Sequence, residues 1–322
     1  QSEVALLQSL SHPNVVLLLG SCAPNFLIYA FCEGGSLDQR LMRTHAAPSL
    51  GARVRLLILS DVIRGLAYLH DCKVIHRDLK PGNVLLDRGA EPRAMLGDFG
   101  IARALPGAAA GGATATHMHT TSVSGTWLYM PPEMKNGHCS RVVDSYAFGL
   151  IVIETLLGRL AHQPIGECDN LLLWIDDGEL ESCDELLRRL DPHAGGGEAG
   201  AWDDFEPPIR QLHGIALRCL EHRRKKRPEV SDLIDEMEGI RRAAEASAAP
   251  VDDAFVCPIS MEVMIDPVVC ADGRSYERAG IERWFRSGKR TSPATGEQLA
   301  HLQLTPNLQL RQLIQKQQSQ SA

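Results

Sequence analysis

Within His76-Arg77-Asp78-Leu79-Lys80-Pro81-Gly82-Asn83 a carboxylate, an ammonium and an amide stand close together, and a second carboxylate follows in Asp98-Phe99-Gly100. Together they suit transfer of a phosphoryl group. That reaction asks for positioning and charge neutralisation: a carboxylate near the attacking hydroxyl, oxygen ligands for a divalent cation, and a cation near the moving phosphate. A polar loop closing a buried strand explains any one of these residues. It does not explain the ordered set.

The two pieces match the catalytic-loop and metal-binding motifs of protein kinases in residue type, order and separation, so the chain resembles that family. The resemblance implies that Asp78 orients a substrate hydroxyl, that Asn83 and Asp98 hold Mg²⁺, and that Lys80 reaches the γ-phosphate of ATP. Lysine two places after Asp78 resembles the serine/threonine branch. So does Thr126, which the family places between Asp78 and Lys80, in Gly125-Thr126-Trp127-Leu128-Tyr129-Met130-Pro131-Pro132-Glu133. Pro131 stands where the family usually has Ala. Arg77 implies control by an introduced phosphate, with Thr120, Thr121 and Ser122 as candidate acceptors and solvated loop hydroxyls as the plain alternative. Glu133 and Arg227 match a bracing ion pair, and Asp144 matches the residue that anchors the catalytic loop.

These groups need elements to position them. Residues 53–70 form an amphipathic helix, with Val54, Leu57, Ile58, Val62, Leu66 and Leu69 along one side. Val15 to Leu19 and Phe26 to Phe31 read as two buried strands, and Val84 to Leu86 and Met95-Leu96 as strands that bring Asn83 close to Asp98. By resemblance Tyr29 is the gatekeeper and Ala30 to Cys32 the hinge that meets adenine, leaving through Glu33-Gly34-Gly35-Ser36-Leu37. Asp144 to Leu157 is a helix apolar nearly all round. Leu212 to Leu220 and Val230 to Ile240 read as the last helices of a large lobe.

Residues 2–10 resemble the helix in which kinases place a glutamate, here Glu3, against a strand lysine. The chain begins at Gln1 without an initiator methionine and reads as a fragment, with that lysine and the glycine-rich loop outside it. This polypeptide by itself is therefore not expected to be a competent kinase. The Ala/Gly-rich run 106–115 reads as a mobile loop and 193–201 as a surface loop. The basic run Arg223 to Arg227 reads as a solvated helix end with one structural arginine, in preference to a nucleic-acid patch.

At 322 residues the chain has room for two or three domains with real cores. A formal charge of −7 gives no global reason to expect nucleic acid or a membrane surface. Nine cysteines, an odd number without a secretory signal, suggest free thiols and a cytoplasmic location. No apolar stretch is long enough to span a bilayer, the best, Ala147 to Leu157, being short and interrupted by Glu154.

After a linker at 243–250, Phe255-Val256-Cys257-Pro258-Ile259-Ser260 opens a pattern continuing through Met264-Ile265-Asp266-Pro267-Val268, Asp272-Gly273-Arg274-Ser275-Tyr276-Glu277-Arg278, Ile281-Glu282-Arg283-Trp284 and Pro306-Asn307-Leu308. It resembles the U-box of ubiquitin ligases over essentially the whole of 251–322. Ile281, Trp284 and Phe285 fall at helical spacing after Ser275, a reasonable helix start. Leu310, Leu313 and Ile314 follow the candidate cap Asn307, with Ile281, Leu310 and Leu313 read as core. With only Cys257, Cys270 and His301 there, no zinc site of RING type can be assembled. The resemblance implies docking of a ubiquitin-conjugating enzyme through Ile259, Trp284 and Pro293, with Ser292 where cysteine is common, and it allows dimerisation through the U-box. Cys257 is read as buried rather than as a thioester-forming nucleophile.

The expectation is an α+β chain: a two-lobed kinase-like fold at 1–242, its small lobe incomplete and its large lobe helical, then a small βαα U-box. The function this implies combines a ubiquitin ligase with a serine/threonine kinase domain using ATP and Mg²⁺ and no zinc, acting on protein substrates. The alternative is a ligase whose kinase-like part is a non-catalytic recognition scaffold.

Overall fold

A computed structural model describes residues 8–22, 26–45, 49–89, 91–98, 103–104, 118–119, 126–195, 201–247, 253–260 and 263–320. Glu3, the acceptor candidates Thr120, Thr121 and Ser122, and the run 106–115 lie outside the described residues. The chain divides into two compact units, Gln1–Ser247 and Ala248–Ala322.

In the first unit, β1 (Leu18–Cys22) and β2 (Phe26–Tyr29) form an antiparallel pair with an irregularity between Leu18 and Gly20. This hairpin corrects the expectation of two buried strands. Leu19 is 62 % exposed, Phe26 67 % and Ile28 51 %, because nothing among the described residues covers one face of the two-stranded sheet. Val15 instead makes an isolated parallel bridge to Leu96. The chain then turns through Gly34, where a side chain has no room: a Cβ would lie 2.2 Å from the Asp87 carbonyl oxygen.

Next come α1 (Leu37–Leu41) and α2 (Ala52–Asp71). Of the α2 apolar stripe, Ile58, Val62, Leu66 and Leu69 are buried while Val54 and Leu57 are only partly so, and Leu56, Leu59 and Ile63 widen the buried face. Short strands follow: β3 (Val74–Ile75), β4 (Val84–Leu86), β5 (Ala94–Leu96), β6 (Arg103–Ala104), β7 (Met118–His119) and, after α3 (Pro132–Lys135), β8 (His138–Cys139). They pair antiparallel as β4 with β5, β3 with β6 and β7 with β8.

The core centres on α4 (Val142–Leu157), in which every residue is buried, polar ones included. It starts two residues before Asp144. The large lobe is completed by α5 (Leu171–Asp176), α6 (Cys183–Arg188), α7 (Glu206–Cys219) and α8 (Ile234–Ala246), the last running past Arg242. Helix α7 packs on α4 so closely that a Cβ on Gly149 would lie 2.8 Å from that of Cys219. Part of the expected surface loop at 193–201 is interior, because Ala194 is buried at its start.

The second unit holds a three-stranded antiparallel sheet, with β9 (Pro267–Val269) between β10 (Ser275–Glu277) and β11 (Thr305–Pro306), and two helices, α9 (Arg278–Arg286) and α10 (Leu308–Gln320). Ser275 lies in a strand and not at a helix start; α9 begins three residues later. Asn307 does cap α10, its side-chain oxygen accepting the Leu310 N–H at 3.0 Å. Cys257, Met264, Val268, Cys270, Tyr276, Ile281 and Ile314 make the core, with Leu310 packed against it. Leu313 is 54 % exposed, which corrects its assignment to that core.

In the first unit Arg227, its side chain wholly buried, meets Glu133 at 2.6 Å and also donates to the Val142 and Glu221 carbonyls. Replacing one partner leaves the other desolvated and unpaired, which typically costs about 3 to 5 kcal/mol. Arg227→Met is expected to destabilise the first unit by that amount in guanidinium unfolding, and a loss below about 1 kcal/mol, the range of exposed pairs, would remove the pair from its bracing role.

Candidate functional site

The catalytic-type loop leaves β3 and is held by a carboxylate from beneath. Asp144, buried in the first turn of α4, accepts the His76 N–H at 2.9 Å, the Arg77 N–H at 2.9 Å and a ring nitrogen of His70 at 2.8 Å. Burial pushes its carboxyl up, but the His70 contact, the nearby His76 ring and the Arg77 N–H outweigh that and hold it below the ordinary range. These bonds are made by Arg77 in the left-handed region, φ +70°, an unusual conformation for a residue with a side chain. His76 Nε2 in turn donates to the Gly97 carbonyl at 3.0 Å, tying the loop to the residue before Asp98. Burial keeps its imidazole pKa low despite the nearby carboxylates, so it stays neutral.

The front of the loop gathers the residues singled out from sequence. Asp78 receives Lys80 Nζ at 2.7 Å, the Thr126 backbone N–H at 2.8 Å and the Thr126 hydroxyl at 3.0 Å; Lys80 also reaches the Thr126 hydroxyl oxygen at 2.8 Å. Thr126 thus lies between Asp78 and Lys80. Partial burial raises the Asp78 carboxyl, yet Lys80 and the Thr126 donors more than offset this and keep it ionised. Such a carboxylate can accept a hydrogen bond from a hydroxyl and orient it.

Asn83 closes the 3-10 turn Pro81–Asn83, and its amide nitrogen donates to the Asp78 carbonyl at 2.7 Å and carboxylate at 3.1 Å. Both partners are acceptors, so the amide orientation is fixed and its oxygen is the end left for a cation. The Gly97 N–H donates to the Asn83 carbonyl at 2.9 Å, which sets Asp98 beside it; Asp98 has φ +55°. An amide oxygen and a carboxylate are hard donors that fit Mg²⁺.

On the hinge side, burial and then the Asp98 carboxylate push the Tyr29 phenol up, so the two lie within electrostatic reach. The Ala30 N–H is taken by the Leu17 carbonyl at 2.9 Å, and the Cys32 carbonyl accepts from Gly35 at 3.3 Å. Cys32 is half-buried.

In the second unit Ser292 is the hub of the second loop. It is 1 % exposed; its hydroxyl oxygen accepts the N–H groups of Ala294 at 3.2 Å and Thr295 at 3.1 Å, and it meets the Tyr276 hydroxyl at 3.2 Å. Tyr276 donates to Asp272 at 2.6 Å. Pro293, half-buried, follows this hub. The first loop closes on Cys257, buried, whose sulfur accepts the Ile259 and Glu277 N–H groups. Ile259 rests against α9 at Gly280, one turn before Trp284. Trp284 is more committed than a free docking surface: its indole donates to the Thr291 carbonyl at 2.8 Å and Lys289 covers its ring at 3.7 Å. Asp266 pairs with Arg278 at 2.6 Å and lies 3.7 Å from Arg311. Among the described residues no three His, Cys, Asp or Glu side chains gather as a metal site would need.

Family models match the chain twice: a protein kinase domain over residues 1–237 and a U-box domain over 251–321. The chain belongs to the protein kinase family and carries a U-box. Similar proteins include U-box domain-containing protein 70 of Oryza sativa subsp. japonica, 34 % identical over 98 % of this chain and 39 % of that protein. U-box domain-containing protein 35 of Arabidopsis thaliana is 33 % identical over 96 % and 36 %, and U-box domain-containing protein 57 of Oryza sativa subsp. japonica 31 % over 98 % and 59 %. The chain therefore spans less than two thirds of each of these relatives. No helix among the described residues is long and apolar enough to cross a membrane.

Sequence reading missed two supports of the kinase-domain site. His70, in the last turn of α2, steadies Asp144. Glu154, noticed only as an interruption of an apolar run, accepts the Tyr129 hydroxyl at 2.6 Å and the Ala161 N–H at 2.5 Å, and so ties α4 to the turn that follows Thr126. A carboxylate in a helix apolar all round was the available signal. Glu154 is fully buried, which pushes its carboxyl up to about 8 even though both donors pull it down. The unfolded value is near 4.5, so between the two the native state keeps a proton that the unfolded chain has released. This contribution is full below pH 4.5 and lost as pH rises through about 8. Glu154→Gln is expected to flatten the fall in stability over that window, by about 1 kcal/mol per pH unit at the steepest, in denaturant titrations at several pH values. An unchanged slope would mean that Glu154 is ionised in the native protein.

Proposed function

We propose that this protein is a U-box ubiquitin–protein ligase joined to a serine/threonine-type kinase domain. The observation that carries the ligase half is the pair of loops in the second unit, stitched by Cys257 and by Ser292, which leave Ile259 and Pro293 half-exposed beside a helix. Apolar groups presented on rigid loops suit docking of a partner, here a ubiquitin-conjugating enzyme charged with ubiquitin. Trp284 acts there by bracing the second loop as much as by contact. Transfer to a lysine of a protein substrate then needs only proximity, and no nucleophile is assigned to this unit.

The kinase half is supported by the ionised Asp78 held between Lys80 and Thr126, with Asn83 and Asp98 as the Mg²⁺ ligands and Tyr29, Ala30 and Cys32 as the adenine side of an ATP site. When bound, Mg²⁺ and ATP supply the phosphoryl group and neutralise its charge. Asp78 orients the acceptor hydroxyl and Lys80 faces the transferring phosphate. Arg77 is the proposed receiver of a regulatory phosphate at Thr120, Thr121 or Ser122, and Glu3 the proposed partner of an ATP-anchoring lysine. The nine free cysteines accord with a cytoplasmic location.

The ligase reading is tested by autoubiquitination of the purified chain with an activating enzyme, a panel of conjugating enzymes, ubiquitin and ATP. Ile259→Ala and Pro293→Ala are each expected to abolish chain formation while circular dichroism and unfolding midpoint stay those of the parent; chains formed equally well by both variants would falsify the docking assignment. In a form of the protein extended upstream by a glycine-rich loop and the ATP-anchoring lysine, phosphate transfer to serine or threonine, followed with radiolabelled ATP, is expected to fall by about 10²- to 10⁴-fold on Asp78→Asn. A rate untouched by that change would take Asp78 out of the reaction.

A further inference from the structure

After α7 the chain runs Glu221-His222-Arg223-Arg224-Lys225-Lys226-Arg227. Arg224–Lys226 form a 3-10 turn, and Arg227 pins it from below through Glu133 and the Val142 and Glu221 carbonyls. Pinning fixes the backbone and leaves Arg223, Lys225 and Lys226 exposed and Arg224 half-buried. None of these four forms an ion pair among the described residues. Some other exposed arginines of the unit do, Arg188 with Glu185, Arg210 with Asp184 and Glu206, and Arg218 with Glu236, while Arg93, Arg159 and Arg242 stand singly without an ion pair among the described residues.

The carboxylate facing the turn is Glu221, which accepts the Arg223 backbone N–H at 3.0 Å. That bond, with Lys226, Arg223 and His222, holds its carboxyl low. His222 lies 3.7 Å from Asp176. The turn is thus locally cationic on a chain whose formal charge is −7. A cluster of unpaired like charges, built on a rigid turn, gains nothing from its own fold and is stabilised by an outside anion.

We infer that the 223–226 turn is a docking surface for an acidic segment, a run of Asp and Glu, of a partner protein. At about 2 Å rise per residue in a 3-10 turn the four charges lie within roughly a Debye length at physiological salt, so the turn senses the charge of a few residues and not of an extended surface. Beyond that length the acidic remainder of the chain opposes a bilayer or a long polyanion. The segment 222–227 carries no Phe, Tyr, Trp or aliphatic residue to stack on bases or enter a bilayer. Its position fits a protein partner, because Glu133, beneath Arg227, belongs to α3, which follows the Thr126 turn directly. Docking of this kind recruits a target for either half of the proposed function and does not depend on phosphate transfer.

The test is fluorescence anisotropy of a labelled peptide of alternating Glu and Ser titrated with the full chain. Binding is expected, weakening as salt is raised, and Arg223→Gln/Lys225→Gln/Lys226→Gln is expected to weaken it by about tenfold or more. The control Arg188→Gln/Arg210→Gln/Arg218→Gln removes the same charge from cations that are already paired and is expected to change affinity by no more than about twofold. Unfolding midpoints establish that both variants are folded. Absence of peptide binding, equal loss in the two variants, or tighter binding to phosphatidylserine vesicles or a single-stranded oligonucleotide than to the peptide each overturns the inference.

Discussion

The kinase-type site depends on one buried carboxylate. Asp144 has no solvent to offset its desolvation, so it is stable as an anion only while three donors point at it, and two of those are backbone N–H groups of the loop that carries Asp78. The dependence is mutual. The loop holds Arg77 in a left-handed conformation, and the energy for that strain comes from the bonds to Asp144. Loss of the carboxylate would release the loop; loss of the loop conformation would strand a charge in the core.

Polar networks of this type are poorly legible from sequence, whereas the reacting residues are well legible. Asp78, Lys80, Asn83 and Thr126 stand in short motifs, and the structure brings them within hydrogen-bond distance of one another. Helix α2 was readable because its apolar residues recur at one period. The hairpin of β1 and β2 was misread as buried because Leu19, Phe26 and Ile28 look like core by composition, and composition cannot say whether a covering layer is present. Ser275 was misplaced for a different reason: serine caps helices often, but here the chain stays extended through Glu277 to pair with β9. The roles of His70, Glu154 and Ser292 were not legible, although Glu154 and Ser292 stood out by residue type, because their partners are distant in sequence or are backbone groups, which carry no residue signature.

The U-box shows how a small unit fixes two loops with ordinary hydrogen bonds. Each loop has a single buried acceptor at its centre, the Cys257 sulfur in one and the Ser292 hydroxyl in the other, and each gathers backbone N–H groups that would otherwise be unsatisfied. Tyr276 and Asp272 extend the second hub back to the sheet. Burial and then the Asp272 carboxylate push the Tyr276 phenol up to about 12, so it remains a donor throughout the physiological range and the hub keeps its polarity.

Helix α4 bears a carboxylate near each end of a largely apolar rod, Asp144 on the loop of Asp78 and Glu154 on the turn of Thr126. An apolar cylinder alone can slide along its axis with little change in buried area, since one aliphatic surface replaces another. Two polar groups fixed to partners at both ends forbid that translation. At a rise of about 1.5 Å per residue the rod sets a separation of roughly 15 Å between its two attachment points. The helix therefore works as a gauge: it spaces two loops that meet where Asp78 and Lys80 reach Thr126, and any change in its length by insertion or deletion would throw both loops out of alignment at once.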